Sequence, residues 1–250
     1  MSSILTNLRS AVITGFVFAI ILIFFLAQGS FDQTAFNMWL LRWMHVLSGV
    51  MWVGILYYFN FVQIPNMPNI PDDQKPAISK VIAPAALWWF RWGAVATVVT
   101  GFILAHLNGY LHDAMTFSNG HWPIGVGMWL ALIMFLNVWL VIWPNQQIVL
   151  GMKEGDGPAA AAKAGLASRT NTLFSGPMLL GMLGSKHIAA ISTQVGGSVS
   201  DTGLFTALGL IVVLEINALF GGMGPMKSVM GVIHCSLALM LAILGILLFL

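Results

Sequence analysis

Apolar stretches recur along the chain, separated by short polar or proline- and glycine-bearing breaks. Runs of about 18 or more apolar residues with few charges read as bilayer-spanning helices. The pattern predicts spans over residues 11–28, 35–64, 84–107, 123–148, 167–186, 203–220 and 227–250. The expected fold is therefore all-α, an integral membrane bundle of about seven transmembrane helices forming a single transmembrane domain over residues 1–250. Pro65, Pro68 and Pro71 are expected to stop the second helix, and Pro177 to kink the fifth. Three connections are long. Residues 65–83 carry the prolines. Residues 108–122 carry His112, Asp113 and His121. Residues 151–166, with Gly155, Gly157 and an alanine run, read as a loose loop. No internal repeat and no inverted pair of broken helices of the transporter kind stands out.

Composition sharpens this picture. Of 250 residues, 58% are hydrophobic and 7% charged, against about 25% charged in soluble domains. The net charge of +2 comes with ten basic residues scattered over short segments. They serve as topology signals and imply no nucleic-acid partner; the partner the whole surface implies is membrane lipid. With the N-terminus in the cytoplasm, Arg9, Lys75, Lys80, Lys153, Lys163, Arg169 and Lys227 fall in or beside cytoplasmic segments, and Arg42 and Lys186 lie near the opposite surface. The first span lacks a small-residue cleavage site and reads as a retained helix. The lone Cys235 allows no disulfide within the chain, and no CxxC or CxxCH motif is present.

Titratable groups in hydrocarbon are costly and usually functional. Arg42, His45, Gly49, Asn60 and Gln63 make a polar and small stripe on the second helix. A glycine one turn from a histidine gives a flat macrocycle room to approach, which suits haem b held by His45 beside Gly49. The alternative is that Gly49 admits a neighbouring helix and His45 bonds to it. Glu215 is the acid deep in a span, and it and His234 fall at similar depth either side of the turn near Gly224. That makes them expected partners, as a proton relay or a ligand with its orienting carboxylate, or as a pair that fixes the hairpin. His45 and His234 are the candidate iron ligands, yet they fall in opposite halves of the membrane. By depth, His106 or His187 is a better partner for His45. Trp39, Trp43, Trp88, Trp89 and Trp92 read as interface-belt residues, and the 15 methionines as packing.

The run Leu41-Arg42-Trp43-Met44-His45-Val46-Leu47-Ser48-Gly49-Val50-Met51-Trp52-Val53-Gly54, continued by Tyr57-Tyr58-Phe59-Asn60-Phe61-Val62-Gln63, resembles the membrane domain of the bacterial cytochrome-linked urate oxidases, or urate hydroxylases. Phe90-Arg91-Trp92-Gly93-Ala94, Ser168-Arg169-Thr170-Asn171-Thr172, Glu215-Ile216-Asn217-Ala218-Leu219 and Val232-Ile233-His234 agree in order. The resemblance implies a cytoplasmic-membrane oxidoreductase of purine breakdown that converts urate to 5-hydroxyisourate. Family members pass the electrons to a fused cytochrome c domain. On the matching motifs, Arg42, Glu215 and His234 are the catalytic candidates and His45 the haem position. The sequence ends at Leu250 without a CxxCH, so the expected electron acceptor is a separate cytochrome c. Alternatively, the chain is a non-catalytic accessory subunit among the other membrane subunits of a respiratory or oxidase complex.

Overall fold

The structure is a computed structural model describing residues 6–27, 32–187 and 199–250. Eight helices account for the fold, and no strand occurs among the described residues. They are α1 (Leu8–Ala27), α2 (Gln33–Asn69), α3 (Lys75–Leu107), the short α4 (Leu111–Met115), α5 (Trp122–Val149), α6 (Gly157–His187), α7 (Asp201–Phe220) and α8 (Val229–Phe249). All but α4 and α6 are long and apolar enough to cross a membrane, six in number. This is the all-α, multi-pass membrane bundle that the hydrophobic pattern predicts. The end of the first span, expected at Gln28, lies outside the described residues.

The chain separates into two compact units, residues 1–43 and 44–250. In the first, Asn7 caps α1 by accepting from the Arg9 and Ser10 amides, and Asp32 caps α2 by accepting from Thr34 and Ala35. Trp39 and Trp43 stack with ring centroids 5.7 Å apart, and Phe16 lies 4.4 Å from Trp43.

In the second unit Pro65 and Pro68 do not stop the helix as expected; it ends ahead of Pro71. The helix runs through Pro65 and Pro68 to Asn69, and α3 starts at Lys75, nine residues before Pro84. The reason is local and repeats three times. Tyr58–Gln63, Ile78–Ile82 and Asn137–Ile142 are π-helical, and each stretch ends two residues before a proline: Pro65, Pro84 and Pro144. A proline offers no N–H to the carbonyl four residues back and crowds it. In each wide turn the residue before the proline donates five residues back, Ile64 to Phe59, Ala83 to Ile78 and Trp143 to Val138, and the helix continues through the proline.

Pro177 is handled differently, inside the unbroken α6. The carbonyl it leaves without a helical donor is that of Leu173, and the Ser236 hydroxyl of α8 donates to it at 2.9 Å. Gly176 makes this contact feasible, because a Cβ there would collide with the Ser236 hydroxyl.

The segment expected as a loose loop over 151–166 is helical from Gly157. Asp156 accepts from the Ala159 amide at 3.1 Å, and the alanine run that follows has the highest intrinsic helix propensity. The helix expected over 167–186 thus begins a decade of residues earlier. Helix α6 packs against α5, α7, α8 and the π stretch of α2. From Ala164 to Met178 every residue is buried except the half-buried Gly165 and Gly176. Its contact with α5 is made by glycines: a Cβ on Gly181 would lie 2.6 Å from the Pro123 carbonyl oxygen and 2.8 Å from the Gly127 nitrogen. Small residues of this kind let helix backbones approach where no hydrophobic force separates protein from lipid.

Candidate functional site in the polar seam of the bundle

Ser168, Arg169, Thr170, Asn171 and Thr172 are all buried on α6. Thr170 and Thr172 return their hydroxyl protons to α6 itself, at Leu166 and Ser168. Ser168 and Asn171 bond across to neighbouring helices. Asn171 donates to the Met134 carbonyl at 2.9 Å and accepts from the Asn137 amide at 3.0 Å. Asn137 spends its second N–H on the Glu215 carboxylate, also at 3.0 Å. The chain Glu215–Asn137–Asn171 therefore links α7, α5 and α6. On another face of α6, Asn60 donates to the Ser168 hydroxyl at 2.8 Å and to the Leu56 carbonyl at 2.9 Å. Ser175 donates to Thr172, so the Tyr57 hydroxyl, 2.8 Å away, must donate to Ser175. Asn60 and Asn137 both sit in π stretches, where a widened turn is often found at functional sites.

Among the described residues, Arg169 Nη1, Asn60 Oδ1 and Gln63 Oε1 are buried without a hydrogen-bond partner. Arg169 is 6% exposed, so its cation does not reach water by extending along the helix. The early start of α6 sets it twelve residues inside the helix.

His45 occupies a second place, between α2 and α3. Its Nδ1 lies 2.9 Å from the Thr97 carbonyl oxygen and 3.0 Å from the Thr100 hydroxyl. Thr100 donates its own proton to Ala96, so the carbonyl of Thr97 is the acceptor that draws a hydrogen onto Nδ1. The ring lies against Gly101, where a Cβ would come 2.9 Å from His45 Cε1. Gly101 is the glycine that accommodates the imidazole. Gly49 faces α3 instead, with a Cβ there in ordinary contact, 3.8 Å from Thr97 Cγ2.

The remaining expected site residues are dispersed. Among the described residues no hydrogen bond or ion pair joins Glu215 to His234. The carboxylate takes its bond from Asn137, and His234 is exposed on α8. The physical reason is helical phase: equal depth does not give equal direction, and the α8 face packed into the core is the one carrying Val232, Ser236 and Leu239. His106 and His187 are exposed, near the last turn of α3 and at the last residue of α6. His106 lies five residues beyond Gly101, about 7.5 Å further along α3 than the level of His45. Arg42 is exposed in the first unit. Among the described residues no group of three or more His, Cys, Asp or Glu side chains is placed to hold a metal ion.

Asn137 and the Tyr57–Ser175 pair are the members that sequence reasoning missed. The signal for Asn137 was present as a lone amide in the apolar run Ile133–Ile142. A cation–π contact flanks this end of α5: the Arg91 guanidinium sits 3.2 Å from the Trp143 ring centroid while its Nε donates to Leu87. Outside the spans, the Asn119 and Ser118 side chains and the neighbouring His121 and His112 hold the Asp113 carboxyl below the usual range.

The fold and the seam define a multi-pass helical membrane protein with a hydrogen-bonded polar interior. No family model, curated protein or solved structure matches the chain.

Proposed function

We propose that the chain is a membrane-bound redox protein of the urate oxidase kind, holding haem b through His45 and passing electrons to a cytochrome c. The observation that supports it is the orientation of His45. A histidine that donates from Nδ1 to a backbone carbonyl presents the lone pair of Nε2, which is the arrangement that readies an imidazole for iron. Nothing else bonds to that nitrogen among the described residues. His45 is the histidine that would hold the group, since His106, His187 and His234 stand elsewhere. Haem b, when held, supplies one-electron transfer. Converting urate to 5-hydroxyisourate with oxygen from water releases two electrons and two protons. Glu215, a carboxylate fixed by Asn137 and linked to the α6 seam, is the group of this chain for receiving a proton.

The alternative is a non-catalytic subunit of a larger membrane complex. It is favoured by the broad apolar face that α8 leaves uncovered, with Leu237 and Leu241 exposed. A reduced-minus-oxidised spectrum of the purified protein separates the two. A b-type signal that disappears in His45→Ala supports the redox reading. A normal spectrum in that variant sinks His45 as ligand, and a blank wild type that co-purifies with a fixed set of membrane proteins supports the subunit reading.

A further inference from the structure

Arg91 is a cation that the bundle satisfies only in part. Its Nε donates to the Leu87 carbonyl at 3.1 Å, and its guanidinium carbon lies 3.2 Å from the Trp143 ring centroid and 5.8 Å from that of Trp139. Among the described residues no carboxylate stands within ion-pair distance of it, and neither Nη1 nor Nη2 meets an acceptor. Both nitrogens stay open to the surroundings, unlike the buried Arg169 Nη1. A ring face covers the plane of a guanidinium and leaves its edge free. That edge is the part that pairs with an anion.

The surroundings say which kind of anion. Trp143 lies 21 residues beyond Trp122, about 31 Å along α5, which matches the roughly 30 Å thickness of a hydrocarbon core. With the Trp122 end at one membrane surface, Arg91 stands at the headgroup level of the other. Trp88 and Trp92, beside Arg91 on α3, are each 48% exposed, and Trp92 packs edge-on against Trp139 at 5.8 Å. Leu140, between the two tryptophans of α5, is 69% exposed. A cation at this level, walled by amphipathic indoles and continued by an uncovered apolar surface, fits a molecule with a phosphate at one end and acyl chains at the other.

We infer that Arg91, Trp139 and Trp143 form a headgroup site for an anionic phospholipid. The phosphodiester takes two parallel bonds from the Nη1–Nη2 edge of Arg91, and the acyl chains lie along Trp92 and Leu140. The lipid carries a net negative charge, because a zwitterion brings a second cation to a place that already holds one. The Trp143 face that could receive a choline is taken by Arg91. This site is independent of the haem assignment at His45.

The test is the thermal unfolding midpoint of the detergent-purified full chain, titrated with phosphatidylglycerol. The controls are phosphatidylcholine with the same acyl chains and water-soluble glycerol phosphate. Saturable stabilisation by phosphatidylglycerol, stronger than by either control, is expected. Arg91→Gln should weaken it by roughly 10-fold. Lys153→Gln, at a basic residue exposed in the segment after α5, should leave it unchanged. An equal response to phosphatidylcholine means general solvation by lipid, and an equal response to glycerol phosphate means a site for free anions; either overturns the proposal. So does phosphatidylglycerol binding by Arg91→Gln that equals wild type, or an equal weakening by Lys153→Gln. Should Arg91→Gln not fold, Arg91→Lys keeps the charge but loses the fork and the flat stacking face. Phosphatidylglycerol binding by that variant equal to wild type overturns the proposal, and weaker binding supports it.

Discussion

Helices α6 and α8 pack against each other and are built on opposite plans. Helix α8 is the most apolar of the spans, with a mean hydropathy of 2.6 over its best window, yet only 22% of that window is buried. Its buried residues are Val232, Ser236, Leu239, Ile243 and Leu247, one narrow stripe at helical spacing. Helix α6 is too polar to qualify as a span by composition, and it is buried on all sides for about four turns. In water the apolar helix would be the inner one. In lipid the apolar face is the outer one, and polar side chains are retained where other helices can satisfy them. Apolarity along this chain therefore reports exposure to lipid, and a polar run of spanning length reports the centre of the bundle.

The contrast can be broken most severely at the glycine contact of α6. Gly181→Val should destabilise the protein by about 3 kcal/mol, because the added carbons meet the Pro123 and Gly127 backbone and not a movable side chain. Unfolding in mixed detergent, followed by circular dichroism, would measure it; a loss under ~0.5 kcal/mol would show that the α5–α6 approach is not as close as described. A smaller effect is expected at the polar bond from α8 into α6. Ser236→Ala removes the donor to the carbonyl that Pro177 leaves open, and should cost about 1 kcal/mol. A double variant sharpens this point: with Pro177→Ala the carbonyl regains a helical donor, and the Ser236→Ala loss should shrink. The smallest effect belongs to the outer face of α8. Leu241 is 62% exposed, and Leu241→Ala should fall within ~0.5 kcal/mol of wild type in the same assay. A loss as large as that of Ser236→Ala would mean that another surface covers this face.

The candidate site shows where legibility stopped. His45 stood out as a histidine in an apolar run, but the residues that orient it, Thr97 and Thr100, are more than 50 positions away and look like ordinary helix residues. Glu215 stood out in the same way, and depth arithmetic paired it with His234. The bundle instead turned the carboxylate toward Asn137. The prolines were visible as breakers, but three of them are absorbed by π turns and a fourth by a serine on another helix.

The sequence by itself determined the class of the protein, its apolar spans and the polar residues that had to find company inside them. These follow from local composition and from the cost of exposing polar groups to hydrocarbon. Only the tertiary structure decided that α6 is the hub, that Asn137 joins Glu215 to Asn171, and that Arg169 is buried with no counter-charge among the described residues. Those facts depend on the rotational phase and axial register of packed helices, which are set by long-range contacts such as the Gly127–Gly181 approach and leave no periodic mark on any one segment.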